Sequence, residues 1–133
     1  SDGFTVTNTG NISQKYQLRL TDVPTGWTAK NVSGAPGWEE AKILGLFTTQ
    51  SPLSTTHFND NPPDTGDGDI VRSTSNDTAT STNFAISTEG AGVKGYDVTV
   101  SGIRYLWFRF DAPSGTSIKN EQFLTVTVTA IQQ

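Results

Sequence analysis

The sequence contains no cysteine, no methionine and a single histidine among its 133 residues. Without cysteine the chain can form no disulfide, no zinc–thiolate or iron–sulfur site, and no thiol nucleophile. Charged residues are also sparse, at 17%, with a net charge of -4 and no basic cluster. This composition argues against nucleic acid or an anionic membrane surface as a partner. No apolar run approaches the ~18 residues that a membrane-spanning helix needs, so we expect no membrane insertion.

What the chain has in abundance is threonine and serine, 21 and 12 residues respectively, together with 13 glycines and 6 prolines. This composition favours short β-strands separated by turns. Apolar and polar residues alternate in several segments, which is the period of a half-buried strand. The predicted strands are 3–9, 16–20, 27–30, 41–49, 70–73, 78–87, 96–100, 103–110 and 123–131. We therefore predict one domain, residues 1–133, that folds as an all-β, antiparallel, immunoglobulin-like β-sandwich of about seven to nine strands.

The same alternation predicts which side chains meet in the core. In the segment 103–110 one face carries Leu106, Phe108 and Phe110, and the other carries Tyr105, Trp107 and Arg109. We expect the first face to be buried. Its predicted partners in the core are Leu18, Val98, Val126 and Val128. The second face is expected to point outward, where it is either an interaction surface or is covered by a further layer of chain.

Two turn motifs resemble those of a known family. The string Val6-Thr-Asn-Thr-Gly-Asn11 is followed by an alternating strand and then by Pro24-Thr-Gly-Trp27. This arrangement resembles bacterial and archaeal immunoglobulin-like domains of the CARDB kind, and the segments 106–113 and 125–129 resemble their closing hairpin. The resemblance covers roughly the first and last 30 residues. It implies a non-catalytic building block of a secreted or cell-surface protein.

Domains of that family carry one more strand before the N-x-G-N strand, whereas this sequence begins at Ser1, directly on it. Either residues have been trimmed from the chain, or the first strand is missing. A missing strand would leave a sheet edge and an apolar groove open. A terminal strand of a neighbouring copy could fill them head to tail, with residues 3–9 as the favoured donor. The predicted interface residues are Phe4, Val6, Trp107, Arg109, Val126 and Val128.

Four aspartates crowd a long, glycine-containing loop between residues 50 and 69: Asp60, Asp64, Asp67 and Asp69. Oxygen ligands on such a loop suit Ca²⁺, although the spacing does not match an EF-hand loop. The alternative is a solvated acidic turn. No other cofactor is predicted.

Three Asn-x-Ser/Thr sequons begin at Asn11, Asn31 and Asn76. About two would occur by chance at this composition, but all three fall at predicted turns or strand ends, where a glycan could project into water. Glycans are therefore expected partners.

No constellation of residues predicts catalysis. His57 is the only histidine, it lies in a loop, and no Gly-x-Ser-x-Gly nucleophile elbow is present,. We expect a protein that is not an enzyme. Its favoured function is that of an extracellular structural subunit that assembles with its own copies into a filament or surface layer. The alternative is a carbohydrate-binding or adhesive module that uses Trp38, Trp107 and Tyr105.

Overall fold

The computed structural model describes residues 3–49, 55–65, 68–86 and 94–133. Within these ranges the chain forms seven β-strands and no α-helix. The strands are β1 (Phe4–Thr7), β2 (Gln14–Asp22), β3 (Thr28–Ala29), β4 (Glu40–Thr48), β5 (Asp77–Thr78), β6 (Ile103–Asp111) and β7 (Thr125–Gln132). Two single turns of 3₁₀ helix, Thr55–His57 and Pro63–Thr65, lie between β4 and β5.

The strands form two sheets that pack as a sandwich. The four-stranded sheet has the order β1-β6-β4-β3, and the three-stranded sheet has the order β5-β2-β7. Among the seven named strands, all pairings are antiparallel except the short parallel pairing of β3 with β4. The predicted all-β sandwich is confirmed, with seven strands consistent with an immunoglobulin-like arrangement. The expectation of purely antiparallel pairing is wrong at β3, where Thr28 and Ala29 run alongside the beginning of β4.

The core lies between the sheets and follows the predicted alternation in part. Leu18, Val98 and Leu106 are fully buried in one cluster, which also contains Tyr16, Leu20, Ile43, Phe47, Val71, Ala79 and Phe84. Phe108 and Val126 pack against it and are partly buried. The side chains of Phe110 and Val128 are 47% and 39% exposed. Their predicted burial is wrong, because Phe110 lies near the end of β6 and Val128 lies on the edge strand β7.

The face of β6 that was expected to point outward is covered by further chain. Trp107 points away from the core cluster but is only 7% exposed. Its ring packs closely against Gly3, where an added Cβ would lie 2.7 Å from Cε2. The Arg109 guanidinium lies 5.9 Å from the centre of the Phe58 ring. Trp107 is therefore not an exposed aromatic platform, and its predicted exposure is wrong.

Three predicted strands are mostly irregular. Ile70 forms one bridge with Leu44, and Val98 forms one with Gln14. The predicted strand 78–87 contributes only Thr78 to β5, and its last residue lies outside the described ranges. Positive φ angles of 53° at Phe84 and 54° at Asp97 interrupt the extended backbone in two of these segments,. Alternating side chains alone do not indicate such reversals.

Candidate functional site: the open seam of the sandwich

An apolar groove runs between the two sheets along one side of the sandwich, and we call it the seam groove. Strand β1, at the end of the four-stranded sheet, forms one wall, and β7, at the end of the three-stranded sheet, forms the other. Its volume is about 410 Å³. The lining residues are Phe4, Val6, Ile43, Leu106, Phe108, Leu124, Val126 and Val128. All eight side chains are apolar, so the seam groove suits an apolar occupant.

The walls of the seam groove are only partly shielded from water. Phe4 is 66% exposed although its ring packs against Phe108, with 5.9 Å between the ring centroids. Phe110 follows Phe108 on the same face of β6 and is also exposed, and Phe123, beside the lining residue Leu124, is exposed as well. Exposed apolar side chains around an apolar groove are typical of an interaction surface or a ligand-binding groove.

The hydrogen-bonding direction of β2 defines which backbone groups of β7 are free. The N–H of Leu20 donates to the carbonyl of Arg72 (3.0 Å), and the carbonyl of Tyr16 accepts from the N–H of Ala79 (2.8 Å). The even-numbered residues of β2 therefore direct their backbone groups away from β7. Because this direction alternates along an antiparallel strand, the odd-numbered residues of β2 bond to β7.

The β7 residues opposite those odd-numbered positions are Thr127, Thr129 and Ile131. It follows that Val126, Val128 and Ala130 direct their N–H and C=O groups towards the other edge of β7. Among the described residues no strand pairs with that edge. The side chains of Val126 and Val128 face the seam groove. The edge thus presents a row of backbone donors and acceptors directly beside an apolar groove, which is what an added β-strand requires.

Strand β1 has an open edge of a different kind. The N–H of Asn8 donates to the carbonyl of Gly102 (3.0 Å), so by alternation Thr5 and Thr7 carry the outward backbone groups. The strand has four residues, half the length of β7. The buried Asn8 amide anchors its end through bonds to three carbonyls, those of Ile12 (2.9 Å), Val98 (2.8 Å) and Thr99 (3.1 Å). Asn8, the first asparagine of the N-x-G-N motif, therefore has a structural role.

The composition of β7 offers none of the usual protection of an exposed edge. Its sequence is Thr-Val-Thr-Val-Thr-Ala-Ile-Gln, without charge and without proline. Edge strands of proteins that stay monomeric are typically short, charged, bulged or interrupted by proline. Strands β3 and β5, which end the two sheets on the opposite side, are two residues long. The sequence predicts Val126 and Val128 as interface residues, but it does not identify Leu124 as a groove residue or Ala130 as a residue with free backbone groups. The uncharged alternation of residues 123–131 is the sequence feature that could have indicated both.

The predicted calcium ligands are engaged with separate protein groups. Asp60 forms an ion pair with Lys42 and accepts a hydrogen bond from the N–H of Gly34 (2.9 Å). Asp64 pairs with Arg72 at 2.9 Å. Asp67 lies outside the described residues, and the buried Asp69 accepts from the N–H of Asn59 at 2.7 Å. In the part of the chain that the structure describes, no three acidic or histidine side chains converge as a metal site. Calcium binding stays a prediction.

A buried ion-pair network ties the loop that carries Asp60 to the outer face of the four-stranded sheet. The Lys42 side chain is 1% exposed, and its Nζ donates to the carbonyl of Gly34 (2.8 Å) and lies 3.4 Å from Asp111. Arg109 donates two hydrogen bonds of 2.9 Å to the Asp111 carboxylate. Burial raises the pKa of Asp111, but the hydrogen bonds and charge of Arg109, with a contribution from Lys42, outweigh it and hold the pKa below its ordinary value,.

The three predicted glycosylation sites differ in accessibility. Asn11 and Asn76 are exposed. Asn31 is half-buried, and its side chain is bonded to Ser73: the Asn31 amide oxygen accepts from the Ser73 N–H at 2.9 Å, and Nδ2 donates to Ser73 Oγ at 3.1 Å. A glycan at Asn31 would have to replace these contacts, so Asn11 and Asn76 are the better acceptors.

The aromatic residues considered for carbohydrate binding do not share one exposed surface. Trp38 is 64% exposed and packs against Gly115, where an added Cβ would lie 2.6 Å from the ring. Trp107 is buried. His57 is exposed in the first 3₁₀ turn.

No protein-family model, curated protein sequence or solved structure matches this chain. Among the described residues no helix has the length and apolar character to cross a membrane.

Proposed function

We propose that this chain is an extracellular structural module, secreted or displayed at a cell surface, which assembles with other copies of itself by β-strand pairing at the seam groove. The observation that carries the proposal is the coincidence of an apolar groove with the uncharged, unpaired edge of β7. The extracellular location and the structural role rest on the resemblance of the turn motifs to immunoglobulin-like domains of secreted proteins, and the threonine-rich strands are in keeping with both.

The energetics are compatible with a strand as the occupant. Burying one apolar side chain of an added strand contributes about 1.5–3 kcal/mol. Three side chains at alternate positions therefore contribute about 5–9 kcal/mol, which is comparable to the lower part of the ~4–15 kcal/mol range for the loss of freedom on association. Backbone hydrogen bonds to the free groups of β7 add to this, at about 0.5–1.5 kcal/mol each. A strand that meets both the groove and the edge can thus hold two copies together, and repeated contacts would build a filament or layer.

Light scattering and negative-stain microscopy on the full 133-residue chain test this proposal. Val128→Lys places a charge on the seam-groove face of β7, whereas the control Thr127→Lys places the same charge on the opposite face of the same strand. We expect the unchanged chain and the control to associate as concentration rises and the Val128 variant to stay monomeric. An unchanged chain that remains monomeric at every accessible concentration would contradict the proposal.

The carbohydrate-binding alternative keeps one supporting observation, the exposed ring of Trp38. It predicts that the protein binds an immobilised glycan and that Trp38→Ala abolishes binding, while the seam variant Val128→Lys leaves it unchanged. The opposite pattern would favour assembly at the seam.

A further inference from the structure

We infer that the strand added at the seam is β7 of a second copy, paired antiparallel to the first β7 about a two-fold axis at Val128. The inference rests on the proposed function and specifies its partner and geometry. It begins from the three apolar residues of β7 whose backbone groups face the free edge, Val126, Val128 and Ala130.

These three residues form a self-complementary set. In an antiparallel pair a residue whose backbone faces the partner exchanges two hydrogen bonds with the residue opposite it. With Val128 opposite Val128 of the second copy, Val126 lies opposite Ala130 and Ala130 opposite Val126. These three residues are then all paired, which gives about six backbone hydrogen bonds. Gln132, opposite Gln14, also directs its backbone groups outward. A register shifted towards Gln132 would set this polar side chain against Val126 on the groove face, and the opposite shift would lose one pair within β7.

The same register matches the side chains. Opposed residues in a sheet point to the same face, so the groove-facing Val126 and Val128 of one copy adjoin those of the other. On the opposite face Thr127 comes to lie across from Thr129 of the second copy, and paired threonines are favourable neighbours across strands. No like charges are brought into opposition, because β7 carries no charge. The seam grooves of the two copies would run side by side, and each would cover exposed apolar surface of the other.

Pairing through β7 requires no strand to leave its place. Donation of β1 would first break its pairing with β6, which extends over four residue pairs from Phe4 to Thr7. It would also remove Phe4 and Val6 from the wall of the groove. The two-fold contact keeps both, and it is isologous, so it closes at a dimer. A filament or layer would then grow from this dimer through a second contact elsewhere on its surface.

Because the chain contains no cysteine, engineered cysteines can report this geometry without background. Opposed hydrogen-bonded residues have Cα atoms ~5.5 Å apart, within the range that a disulfide spans. Val128→Cys should form a covalent dimer under mild oxidation. Val126→Cys and Ala130→Cys should each crosslink poorly alone but form a mixed dimer when combined. Thr5→Cys, on the open edge of β1, is the control and should form no covalent dimer.

Ala130→Pro provides a second test that leaves the groove lining intact. It removes an outward N–H but none of the bonds from β7 to β2, and proline is tolerated on sheet edges. Two symmetric bonds are lost from the dimer, so we expect the dissociation constant to rise about tenfold or more. Ala130→Ser, which keeps the N–H, should bind as the unchanged chain does, and circular dichroism should show both variants folded.

The outcomes separate this inference from the proposed function. Crosslinking at Val128, a mixed dimer of the Val126 and Ala130 variants, and weakening by proline together support the two-fold pairing. If the chain associates but Val128→Cys does not crosslink and Ala130→Pro has no effect, the β7 pairing is wrong while assembly at the seam stands. Crosslinking through Thr5→Cys would assign the contact to β1. If the chain does not associate at all, both the inference and the proposed function fail.

Discussion

The two sides of the sandwich treat their sheet edges in opposite ways. On the side where β3 and β5 end the sheets, both strands are two residues long, and irregular segments continue the pairing. The N–H of Gly45 donates to the carbonyl of Asp69 (2.8 Å), and the N–H of Val71 donates to that of Ile43 (2.9 Å), so the middle of β4 is bonded although no strand lies beside it. We call this the closed side. On the seam side β7 is eight residues long and has no such cover among the described residues.

The difference is one of chemistry as well as length. The closed side carries a charged cluster, in which Arg72 bonds Asp77 at 2.9 Å through Nε and pairs with Asp64 at 2.9 Å. The seam side presents threonine, valine and phenylalanine without a single charge on β1 or β7. Charges and irregular segments discourage strand addition, whereas an uncharged edge invites it. The closed side therefore has protection against strand addition that the seam side lacks.

The largest difference between the core and the seam should appear in truncations of phenylalanine. Phe47 is fully buried and stacks on Tyr16 with ring centroids 5.4 Å apart. Phe47→Ala should cost about 3–5 kcal/mol of unfolding free energy, because it leaves a cavity. Phe110→Ala, at a side chain that is 47% exposed on the same face of β6 as the groove residue Phe108, should cost about 1 kcal/mol or less in the monomer,. Urea unfolding at low protein concentration measures both, and equal costs would mean that the seam is as well packed as the core.

A smaller loss of stability should separate the two acidic partners of Arg72 in the charged cluster of the closed side. Asp77 is buried and accepts hydrogen bonds from both Arg72 and Ser75. Asp77→Ala leaves Arg72 without its buried partner and should cost about 2 kcal/mol. Asp64→Ala removes an exposed partner of the same arginine and should cost less than about 0.5 kcal/mol. Comparable losses for the two variants, measured by urea unfolding in the same buffer, would contradict the assignment of Asp77 as the anchor.

How far the sequence predicts this structure differs between the same two sides. Strands whose side chains alternate and whose neighbours are regular strands, such as β2, β6 and β7, were predicted within a few residues. The closed side was predicted poorly, because Phe84 and Asp97 adopt positive φ and the pairing passes to segments without strand geometry. Backbone reversals at residues other than glycine depend on tertiary contacts, which periodicity does not contain.

The sequence identifies several residues that line the seam groove, but not the direction of the free backbone groups beside it. Phe4, Val6, Val126 and Val128 were identified as interface residues from alternation and line the groove. Trp107 was placed on an exposed face, yet it is buried, because a local pattern identifies the two faces of a strand but not what covers each of them. The direction of the free backbone groups of β7 depends on the register with β2, and that register is a tertiary property.

The ion-pair network outside the core predicts an acid-sensitive contribution to stability. The pKa of Asp111 lies below its ordinary value, despite burial, because Arg109 and Lys42 favour the carboxylate. A depressed folded-state pKa contributes stability that is present above the unfolded pKa, near 4, and is lost as pH falls through the folded value. Asp111→Asn should therefore be less stable than the unchanged chain at pH 7, and the difference should shrink as the pH falls below about 4. Thermal unfolding across that range checks this, and a difference that does not change with pH would contradict it.

The substitution with the smallest expected effect on folding, Val128→Thr, tests most directly whether the seam is open in the monomer. Val128→Thr keeps the shape and the β-propensity of the side chain and introduces one hydroxyl. In the isolated monomer Val128 is 39% exposed, so that hydroxyl can bond to water, and the unfolding free energy should change by less than about 0.5 kcal/mol,. The matched control is Val71→Thr in the core, where the residue is 1% exposed and an added hydroxyl should cost about 1–3 kcal/mol,. Self-association should respond in the opposite order, since in the proposed dimer only Val128 is buried by the second copy. Val128→Thr should weaken association while Val71→Thr leaves it unchanged under conditions where both are folded. If Val128→Thr were as destabilising as Val71→Thr in the monomer, the seam would be closed within a single chain, and the contrast between the two sides of the sandwich would not hold.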